Sequence, residues 1–435
     1  TAPFPRGRRG ALFHVCPESP VPRPFLIALL ALGLGLSGCT SLGPQTLDHA
    51  RLQYNEVIKR TTEEQLLLNI VRLRYTDTPS SLAVSAIAAQ FERSQSVGLL
   101  PFFTAAGGDI NRSFTTVLPQ AQIMGADRPT FSLTPLDDQE FTRKLFTPLP
   151  LDGVIYLAKT TWPISKVFRL YLENLNWVPN AQTASGPTPR QAPPAADFLR
   201  GIAALQSLQD RGALVFGMAE QEETLGGALP AGAVAARDLI EAARSGMEYR
   251  PDASGRHWRL LRRSSYPVVR LDPRELDSPD ARAFAEVFRL RRGTSEFRLT
   301  QETLSPFLSA QAADGLTHLD LETRSLLQAL YYVSHGVEVP DAHRARGLVT
   351  ITRDATGRDF DWQQVMGELF RVRSQSGTER PANAHVAVNY KDHWFYVDET
   401  DQDSKSTFSL LVELSRLELT GKSGPGPQLT LPIGR

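Results

Sequence analysis

The stretch TEEQLLLNIVRLRY, residues 62–75, decides how the first part of this chain folds. Thr62 and Gln65 stand three residues apart, which is the spacing of a capping box, so the sequence predicts a new helix start there. From Leu66 to Leu73, apolar residues occupy nearly every side of that helix. Because a helix that is apolar on nearly every side is buried on nearly every side, we expect it to be the core helix of an N-terminal lobe.

A polar stripe interrupts this helix and consists of Gln65, Asn69 and Arg72. Polar side chains inside a core must find hydrogen-bond partners. The nearest partners are the backbone and Asp77 of the following turn, so the stripe favours an architectural role over a binding site.

Residues 346–435 alternate between strand signals and helix signals. The predicted elements, in order, are a strand at 348–352, a helix capped by Asp361, a hairpin of strands at 386–390 and 394–396, a helix capped by Asp403, and a strand at 429–431. This β-α-β-β-α-β order is the split pattern of ferredoxin-like domains. The sequence therefore predicts a C-terminal ferredoxin-like module.

The fold class that follows is α+β in a multi-domain chain. Residues 179–197 lose all periodicity and are rich in Pro, Ala, Ser, Gln and Gly, which is typical of a linker or an exposed loop. The apolar residues 98–103 predict a further loop, which we expect to fold inward rather than contact lipid or a partner. The predicted segments are a signal peptide at 1–38, an N-terminal helix-rich α+β lobe at 39–178, the linker or exposed loop at 179–197, a middle α+β region at 198–345, and the ferredoxin-like module at 346–435.

The N-terminal segment has the form of a secretory signal. Arg23 precedes an apolar run, Phe25–Leu36, and the small residues Ser37 and Gly38 then lead to Cys39. An apolar run of this length is shorter than the roughly 20 residues that cross a membrane as a helix. This favours a cleaved signal over the alternative, a short membrane anchor that ends by chance in cysteine.

The residues Leu36-Ser37-Gly38-Cys39 resemble the lipobox of bacterial lipoproteins. The resemblance implies that Cys39 is diacylated on its sulfur, that the signal is removed, and that the new amino group is acylated. Threonine rather than aspartate follows the cysteine, which by the same resemblance implies the outer membrane. The mature chain would then face the periplasm, held to the membrane by the lipid on Cys39, with the cell surface left open as an alternative.

Four longer blocks stand out in the chain. They are LLLNIVRLRYTDTPSSL (66–82), PTFSLTPLDDQEFTRKLFTPLP (129–150), TWPISKVFRLYLENLNWVPN (161–180) and WFYVDETDQDSKSTFSLL (394–411). Together they resemble a family of proteobacterial outer-membrane and periplasmic lipoproteins of unassigned activity. The resemblance covers most of the mature chain and implies an envelope location without an activity.

Charge and cysteine content limit the partners of the mature chain. Residues 39–435 contain 43 lysine and arginine residues against 46 aspartate and glutamate residues, a net charge of −3. Without a basic excess to displace counterions, we expect no nucleic-acid partner. Cys16 leaves with the signal, so Cys39 is the remaining cysteine and no disulfide can form within the mature chain.

No residue pattern predicts a metal site or a cofactor. Neither the histidine pair 335 and 343 nor the pair 385 and 393 has a third ligand at a zinc-site spacing. The densest acidic cluster lacks the central glycine and terminal glutamate of a helix–loop–helix calcium site. We interpret it as a helix cap with solvated carboxylates; its members are Asp398, Glu399, Asp401 and Asp403.

Catalytic motifs are missing as well. The sequence has no Gly-x-Ser-x-Gly elbow, and Cys39 is expected to be blocked by lipid. The pair Gly226-Gly227 lacks the lysine of a phosphate loop. A local basic patch consists of Arg256, Arg259, Arg262, Arg263 and Arg270. We interpret it as a solvated face, and the alternative is a binding surface for an acidic partner or a lipid phosphate.

Two hypotheses of function follow. The sequence favours a lipid-anchored periplasmic protein that acts as a non-enzymatic scaffold or assembly factor with protein partners in the envelope. We expect Tyr390, Trp394 and Tyr396 to bind such a partner, because a split module leaves one sheet face open. The alternative is an envelope hydrolase acting on cell wall or polysaccharide through unassigned carboxylates, which a cleft holding two carboxyl groups with raised pKa would favour.

Overall fold

The structure is a computed structural model, and it describes residues 42–80, 82–88, 91–104, 114–127, 130–135, 139–160, 162–301 and 315–419. The predicted signal peptide, Cys39 and the strand predicted at 429–431 lie outside the described residues. Within these ranges, no helix is both long and apolar enough to cross a membrane.

The helices of the described residues are numbered in chain order. They are α1 Leu42–Arg74, α2 Gln139–Phe146, α3 Leu151–Lys159, α4 Ile164–Tyr171, α5 Ala196–Asp210, α6 Ala236–Arg244, α7 Pro279–Val287, α8 Leu326–Ser334, α9 Asp341–Ala345, α10 Gln363–Met366 and α11 Gln402–Leu419.

The strands are numbered in the same way. They are β1 Leu82–Ala88, β2 Phe91–Thr104, β3 Phe114–Asp127, β4 Thr130–Pro135, β5 Leu172–Leu175, β6 Val178–Pro179, β7 Leu214–Pro230, β8 Met247–Pro251, β9 His257–Leu271, β10 Glu296–Gln301, β11 His318–Thr323, β12 Arg373–Ser376, β13 Ala384–Tyr390 and β14 His393–Asp398. Helices and mixed sheets together make the fold class α+β.

The chain divides into two compact units, residues 1–59 and residues 60–435. The described part of the first unit is the N-terminal end of α1. In the second unit, the N-terminal, middle and C-terminal segments contribute buried side chains to one shared core, which extends from Leu66 to Leu414.

Helix α1 confirms the predicted core segment. Leu67, Ile70 and Leu73 have no exposed surface. The predicted helix start at Thr62 is wrong, since α1 runs unbroken from Leu42 to Arg74. A capping box stabilises a helix only where the preceding backbone leaves the helical conformation, and here the preceding residues continue the helix.

A seven-stranded mixed sheet forms the centre of the second unit. Six strands follow the order β6-β5-β11-β10-β9-β7, and β8 pairs with β9. The strands β10 and β11 are parallel, and the other pairings are antiparallel. The strands β8 and β9 form an antiparallel hairpin. Helix α7 begins with Pro279 as its first residue, and Ser278 caps it by accepting a hydrogen bond from the Ala281 N–H at 3.2 Å.

Two smaller antiparallel pairs lie between α1 and α2 in the sequence. In the pairing of β1 with β4, the register shifts between Val84 and Ala86, at the point where the apolar alternation of the sequence slips by one residue. In the pairing of β2 with β3, residues 98–103 are part of a 14-residue strand. The loop predicted for 98–103 is therefore wrong, because apolar residues next to glycine are equally compatible with a paired strand.

The C-terminal sheet has three antiparallel strands in the order β12-β14-β13. The predicted hairpin is confirmed, and both of its turn residues, Lys391 and Asp392, have positive φ, 49° and 66°, as tight hairpin turns require. Residues 348–352 form no strand, and β14 pairs instead with β12, which follows the helix α10. The ferredoxin-like module is therefore not confirmed by the described residues.

Residues 348–352 lead into a contact with another irregular segment. Arg353 forms an isolated bridge with Gln191, and the Thr352 hydroxyl donates to the Pro189 carbonyl at 2.6 Å. The segment thus runs along the irregular residues 179–197 and not along a sheet edge.

The linker or exposed loop predicted at 179–197 is only partly exposed. Asn180 and Ala184 are fully buried. The guanidinium of Arg324, also fully buried, donates to the Asn180 carbonyl at 2.6 Å and to the Ser185 hydroxyl at 2.9 Å. Irregular backbone leaves carbonyl groups free to accept such bonds, and the absence of periodicity in the sequence does not reveal this use.

Candidate functional site

The three residues predicted to bind a partner lie on the C-terminal hairpin but on two faces of its sheet. Tyr390 stands opposite His393, and Trp394 stands opposite Asn389. Successive residues of a strand point to opposite faces, and directly opposed residues share a face. Tyr390 therefore lies on one face, and Trp394 and Tyr396 lie on the other.

Tyr390 is on the face that packs against the core. Its ring lies edge-on to the ring of Tyr75, with 5.3 Å between the centroids, and its hydroxyl donates to the carboxylate of Asp77. The Lys391 ammonium is 3.4 Å from the same carboxylate and 5.0 Å from the centre of the Tyr390 ring. Tyr390 thus joins the hairpin to the end of α1, and this contact uses its hydroxyl.

The structure also shows which partners the polar stripe of α1 binds. The carboxylate of Asp77 binds the hairpin, whereas its N–H donates to the Arg72 carbonyl at 2.9 Å. Asn69 accepts from the Ser80 N–H at 3.0 Å and from the Arg72 guanidinium at 3.4 Å. The predicted backbone partners are confirmed for Asn69, and the Asp77 side chain takes a partner 313 residues away instead.

His343 forms a hydrogen-bonded bridge beside this contact. Its Nδ1 is 2.7 Å from the Tyr75 hydroxyl, and its Nε2 is 3.1 Å from the Lys391 carbonyl oxygen. Because a carbonyl oxygen only accepts, Nε2 carries the proton, and Nδ1 of the neutral ring accepts from the tyrosine. The ring of His393 lies 4.4 Å away, edge-on.

The surroundings hold both partners of this bridge in their neutral forms. Burial, together with the neighbouring His393, lowers the pKa of His343. Burial also raises the pKa of Tyr75 well above the usual tyrosine range. A hydroxyl that keeps its proton and an imidazole with both nitrogens engaged supply neither a nucleophile nor a free base. The bridge is therefore a structural connection between α1 and the hairpin.

The opposite sheet face carries Trp394 and Tyr396, both half-buried, while Phe395 and Val397 on the core face are fully buried. In the register of the sheet, Trp394 stands between Asn389 on β13 and Gln375 on β12. The Trp394 indole N–H has no acceptor among the described residues. This face therefore combines amphipathic rings with amide side chains, which is a composition common at protein interfaces.

The acidic cluster acts through local hydrogen bonds. Asp401, rather than the predicted Asp403, caps α11 by accepting from the Ser404 N–H at 3.0 Å and from its hydroxyl at 2.7 Å. Asp403 pairs with Lys166 at 2.6 Å, and Asp398 accepts from Thr400 and Asn383. Across the described ranges, no group of three or more histidine, cysteine, aspartate or glutamate residues is arranged to hold a metal ion.

Among the residues that the structure describes, every carboxyl group with a shifted pKa shifts downward. In each case a side-chain hydrogen bond is the largest cause and lowers the pKa. A general acid of a glycoside hydrolase needs a raised pKa, so these groups do not favour the hydrolase hypothesis. The six groups are Glu222, Asp252, Asp272, Asp354, Asp398 and Glu399.

The basic patch is partly neutralised on the surface of the sheet. Arg263 lies 3.2 Å from Glu222 and 3.3 Å from Glu248, and Arg270 lies 2.7 Å from Glu296. All of these side chains are at least 40% exposed, which agrees with the interpretation as a solvated face.

Three buried polar residues have structural roles that the sequence did not predict. Arg74 donates to the Thr188 hydroxyl at 2.9 Å, and Arg324 serves the same irregular segment, as described above. His335 stacks on the ring of Trp362 at 4.0 Å and donates from Nε2 to the Ala184 carbonyl at 3.2 Å. The hydrogen-bond partners of these residues lie more than 100 positions away in the chain, so no local spacing signals their roles.

Comparisons of the chain with models of protein families, with curated proteins and with solved structures found no match. The resemblance to envelope lipoproteins stays a prediction. The structure does bring together blocks on which that resemblance depends. Tyr75 and Asp77 of the first block contact the hairpin that carries the fourth, and Lys166 of the third block pairs with Asp403 of the fourth.

Proposed function

We propose that this protein is a lipid-anchored protein of the bacterial envelope that acts as a non-enzymatic interaction or assembly factor. Cys39 carries the lipid, and the mature chain faces the periplasm from the outer membrane. The stretch Leu36–Cys39 supports the anchor. Each buried methylene of an acyl chain contributes about 0.8 kcal/mol to membrane binding, so two or more chains on one residue hold a protein stably.

The main support for a protein interaction is the exposure of Trp394 and Tyr396. Both rings remain half-exposed on the sheet face away from the core, whereas their strand neighbours Phe395 and Val397 are buried. Because the Trp394 N–H has no acceptor in the described part of the chain, turning the ring toward a partner breaks no hydrogen bond. Large amphipathic rings in such positions anchor protein interfaces. Tyr390, engaged with Asp77, is left out of this surface.

The interaction is tested by photo-crosslinking in intact envelopes. A photoreactive amino acid replaces Tyr396 in the full-length protein, and the control places it at Tyr156, which is 70% exposed on α3. We expect an adduct of defined mass from position 396 and not from position 156. Trp394→Ala should reduce that adduct at least tenfold. The same adducts from both positions, or none from 396, would contradict the proposal.

Folding of the Trp394→Ala variant is checked against Phe395→Ala. Since Phe395 is fully buried against Tyr75, its truncation should cost about 3–5 kcal/mol. Trp394→Ala should lower the free energy of unfolding clearly less, because Trp394 is only half-buried. Loss of the adduct in a variant that still folds then shows that a contact with the partner has been lost.

The anchor is tested separately. Cys39→Ser should abolish incorporation of labelled fatty acid and block processing of the signal segment. Lipid labelling that persists in this variant would contradict the anchor without bearing on the aromatic face.

A further inference from the structure

A pocket of about 240 Å³ opens between α7 and the loop that leads into β10. Its floor includes Phe284 and Phe297, both buried. Its lining also contains three exposed arginines, Arg282, Arg291 and Arg292. The pocket thus has an apolar floor and a cationic rim.

None of the three guanidinium groups has an ion pair or a hydrogen-bond acceptor in the described part of the chain, although acidic residues are close in sequence. Glu286 stands one helical turn after Arg282, a spacing at which opposite charges usually pair. Its carboxylate instead faces Arg200 at 3.7 Å. Asp280, on the same helix, binds Arg211 at 2.7 Å.

The contrast with neighbouring arginines is informative. Arg270 pairs with Glu296 at 2.7 Å, and Arg274 pairs with Asp272 at 2.6 Å. Arg270 and Arg274 are thus neutralised by their own carboxylates, whereas the three rim arginines have no such partner among the described residues. Among the described residues that line the pocket, Asp277 is the one carboxylate.

Three guanidinium groups around one cavity repel one another unless an anion lies between them. Arginine is the side chain best suited to phosphate, because its planar donors bind two phosphate oxygens at once. An apolar floor beneath such a rim accommodates the uncharged part of the same ligand.

We propose that this pocket binds a phosphate-bearing ligand whose phosphate group meets Arg282, Arg291 and Arg292 and whose apolar part lies on Phe284 and Phe297. The ligand source is either a soluble phosphomonoester or the head group of a phospholipid, since both present the same chemistry. This site is separate from the aromatic face of the C-terminal hairpin and does not depend on it.

The test is calorimetric titration of the full chain in detergent with phenyl phosphate, inorganic phosphate and phenol. Phenyl phosphate should bind saturably and at least fivefold more tightly than inorganic phosphate, and phenol should not bind. Raising the salt concentration should weaken binding, because the rim charges are exposed. Absence of saturable binding, or equal affinity for phenyl phosphate and phenol, would overturn the proposal.

Variants locate the ligand. Arg282→Gln and the double variant Arg291→Gln, Arg292→Gln should each weaken phenyl phosphate binding at least tenfold, and Asp277→Asn should tighten it. Arg274→Gln, a matched exposed arginine with its own carboxylate, should change the affinity less than twofold. If Arg274→Gln weakens binding as much as the rim variants, the effect is general surface charge and the proposed pocket is wrong.

A short-chain phosphatidic acid, used below its micelle concentration, distinguishes the two sources. Binding of this lipid at the affinity of phenyl phosphate or better, with the same loss in the rim variants, assigns the pocket to a phospholipid head group. Binding of phenyl phosphate alone assigns it to a soluble phosphomonoester.

Discussion

Two buried arginines, Arg324 and Arg74, are unusual because they bind oxygen atoms of the backbone and of hydroxyl groups instead of carboxylates. Arg324 lies 3.8 Å from the centre of the Tyr332 ring and donates to the carbonyls of Arg169 and Asn180. Burial lowers the pKa of both Arg324 and Arg74 to about 10. A buried charge of this kind persists only where several fixed dipoles surround it, so these side chains fix the irregular segment 179–197 in place.

His335 makes stability depend on pH. Burial lowers its pKa to about 3 in the folded protein, whereas an unfolded histidine has a pKa of about 6.5. As the pH falls through this range, the unfolded chain binds a proton that the folded chain does not. The free energy of unfolding should therefore decrease by up to about 1.4 kcal/mol per pH unit between pH 6.5 and 3.

Denaturant unfolding of the wild type and of His335→Gln at pH 7, 6, 5 and 4 measures this contribution. The glutamine amide keeps a donor for the Ala184 carbonyl but does not titrate. We expect a shallower pH dependence in the variant, and an identical slope in both proteins would show that His335 is not the responsible group.

Two buried tyrosines give opposite predictions for the same substitution. The Tyr171 hydroxyl is buried and has no partner among the described residues, whereas the Tyr75 hydroxyl binds His343. An unpaired buried hydroxyl costs about 1–3 kcal/mol, and a made hydrogen bond contributes about 1 kcal/mol. Tyr171→Phe should raise the free energy of unfolding and Tyr75→Phe should lower it, as measured by urea denaturation. A stabilised Tyr75→Phe would refute the bridge.

At the scale of elements, the close packing of α5 on α7 depends on a glycine. A Cβ atom at Gly201 would lie 2.5 Å from the Phe288 ring and 2.8 Å from a Val287 methyl. Both side chains are buried, so they have little room to move. The close approach of these two helices therefore requires a residue without a side chain at this position.

Gly201→Ala should lower the free energy of unfolding by about 1–3 kcal/mol through overpacking. Gly153→Ala is the matched control, because Gly153 lies inside α3 with nothing within 4 Å of the added atom. Replacing a helical glycine by alanine in open space stabilises by about 0.5–1 kcal/mol. Thermal unfolding of the two variants should shift in opposite directions, and a shift in the same direction would contradict the packing argument.

At the scale of the whole molecule, residues 60–435 share one core. Phe395 of the C-terminal sheet meets Tyr75 of α1 at 6.1 Å between ring centroids. Thr350, in the segment before that sheet, accepts from Arg74 at 3.4 Å. Residues nearly 300 positions earlier in the chain thus pack against the C-terminal segment. Two of the hydrogen bonds between them join residues that are 276 and 313 positions apart.

A fragment comparison tests this shared core. Residues 60–435 should unfold in one cooperative thermal transition, because they contain the complete core. Residues 346–435 alone should show no cooperative transition, since the core face of their sheet would be exposed to water. Cooperative unfolding of the shorter fragment would instead support the independent C-terminal module predicted from the sequence.

The sequence alone was sufficient where the determining interactions are local. Periodicity and turn chemistry act between near neighbours in the chain. They account for the burial of Leu66–Leu73, the hairpin around Lys391-Asp392, the start of α7 at Pro279 and the α+β class. The alternation of side chains along a strand likewise requires Trp394 and Tyr396 to share one sheet face and Phe395 to lie on the other.

Tertiary structure decided what local pattern does not contain. Tyr390 was assigned to a partner surface, but its hydroxyl binds Asp77, 313 residues earlier. Residues 179–197 have no periodicity and yet are packed, because the buried guanidinium groups of Arg324 and Arg74 need their oxygen atoms. A buried donor loses its hydrogen bonds to water only when the whole chain folds, and it must then find an acceptor in the protein. The tertiary structure therefore decides which distant group accepts that hydrogen bond. No spacing along the sequence records that choice.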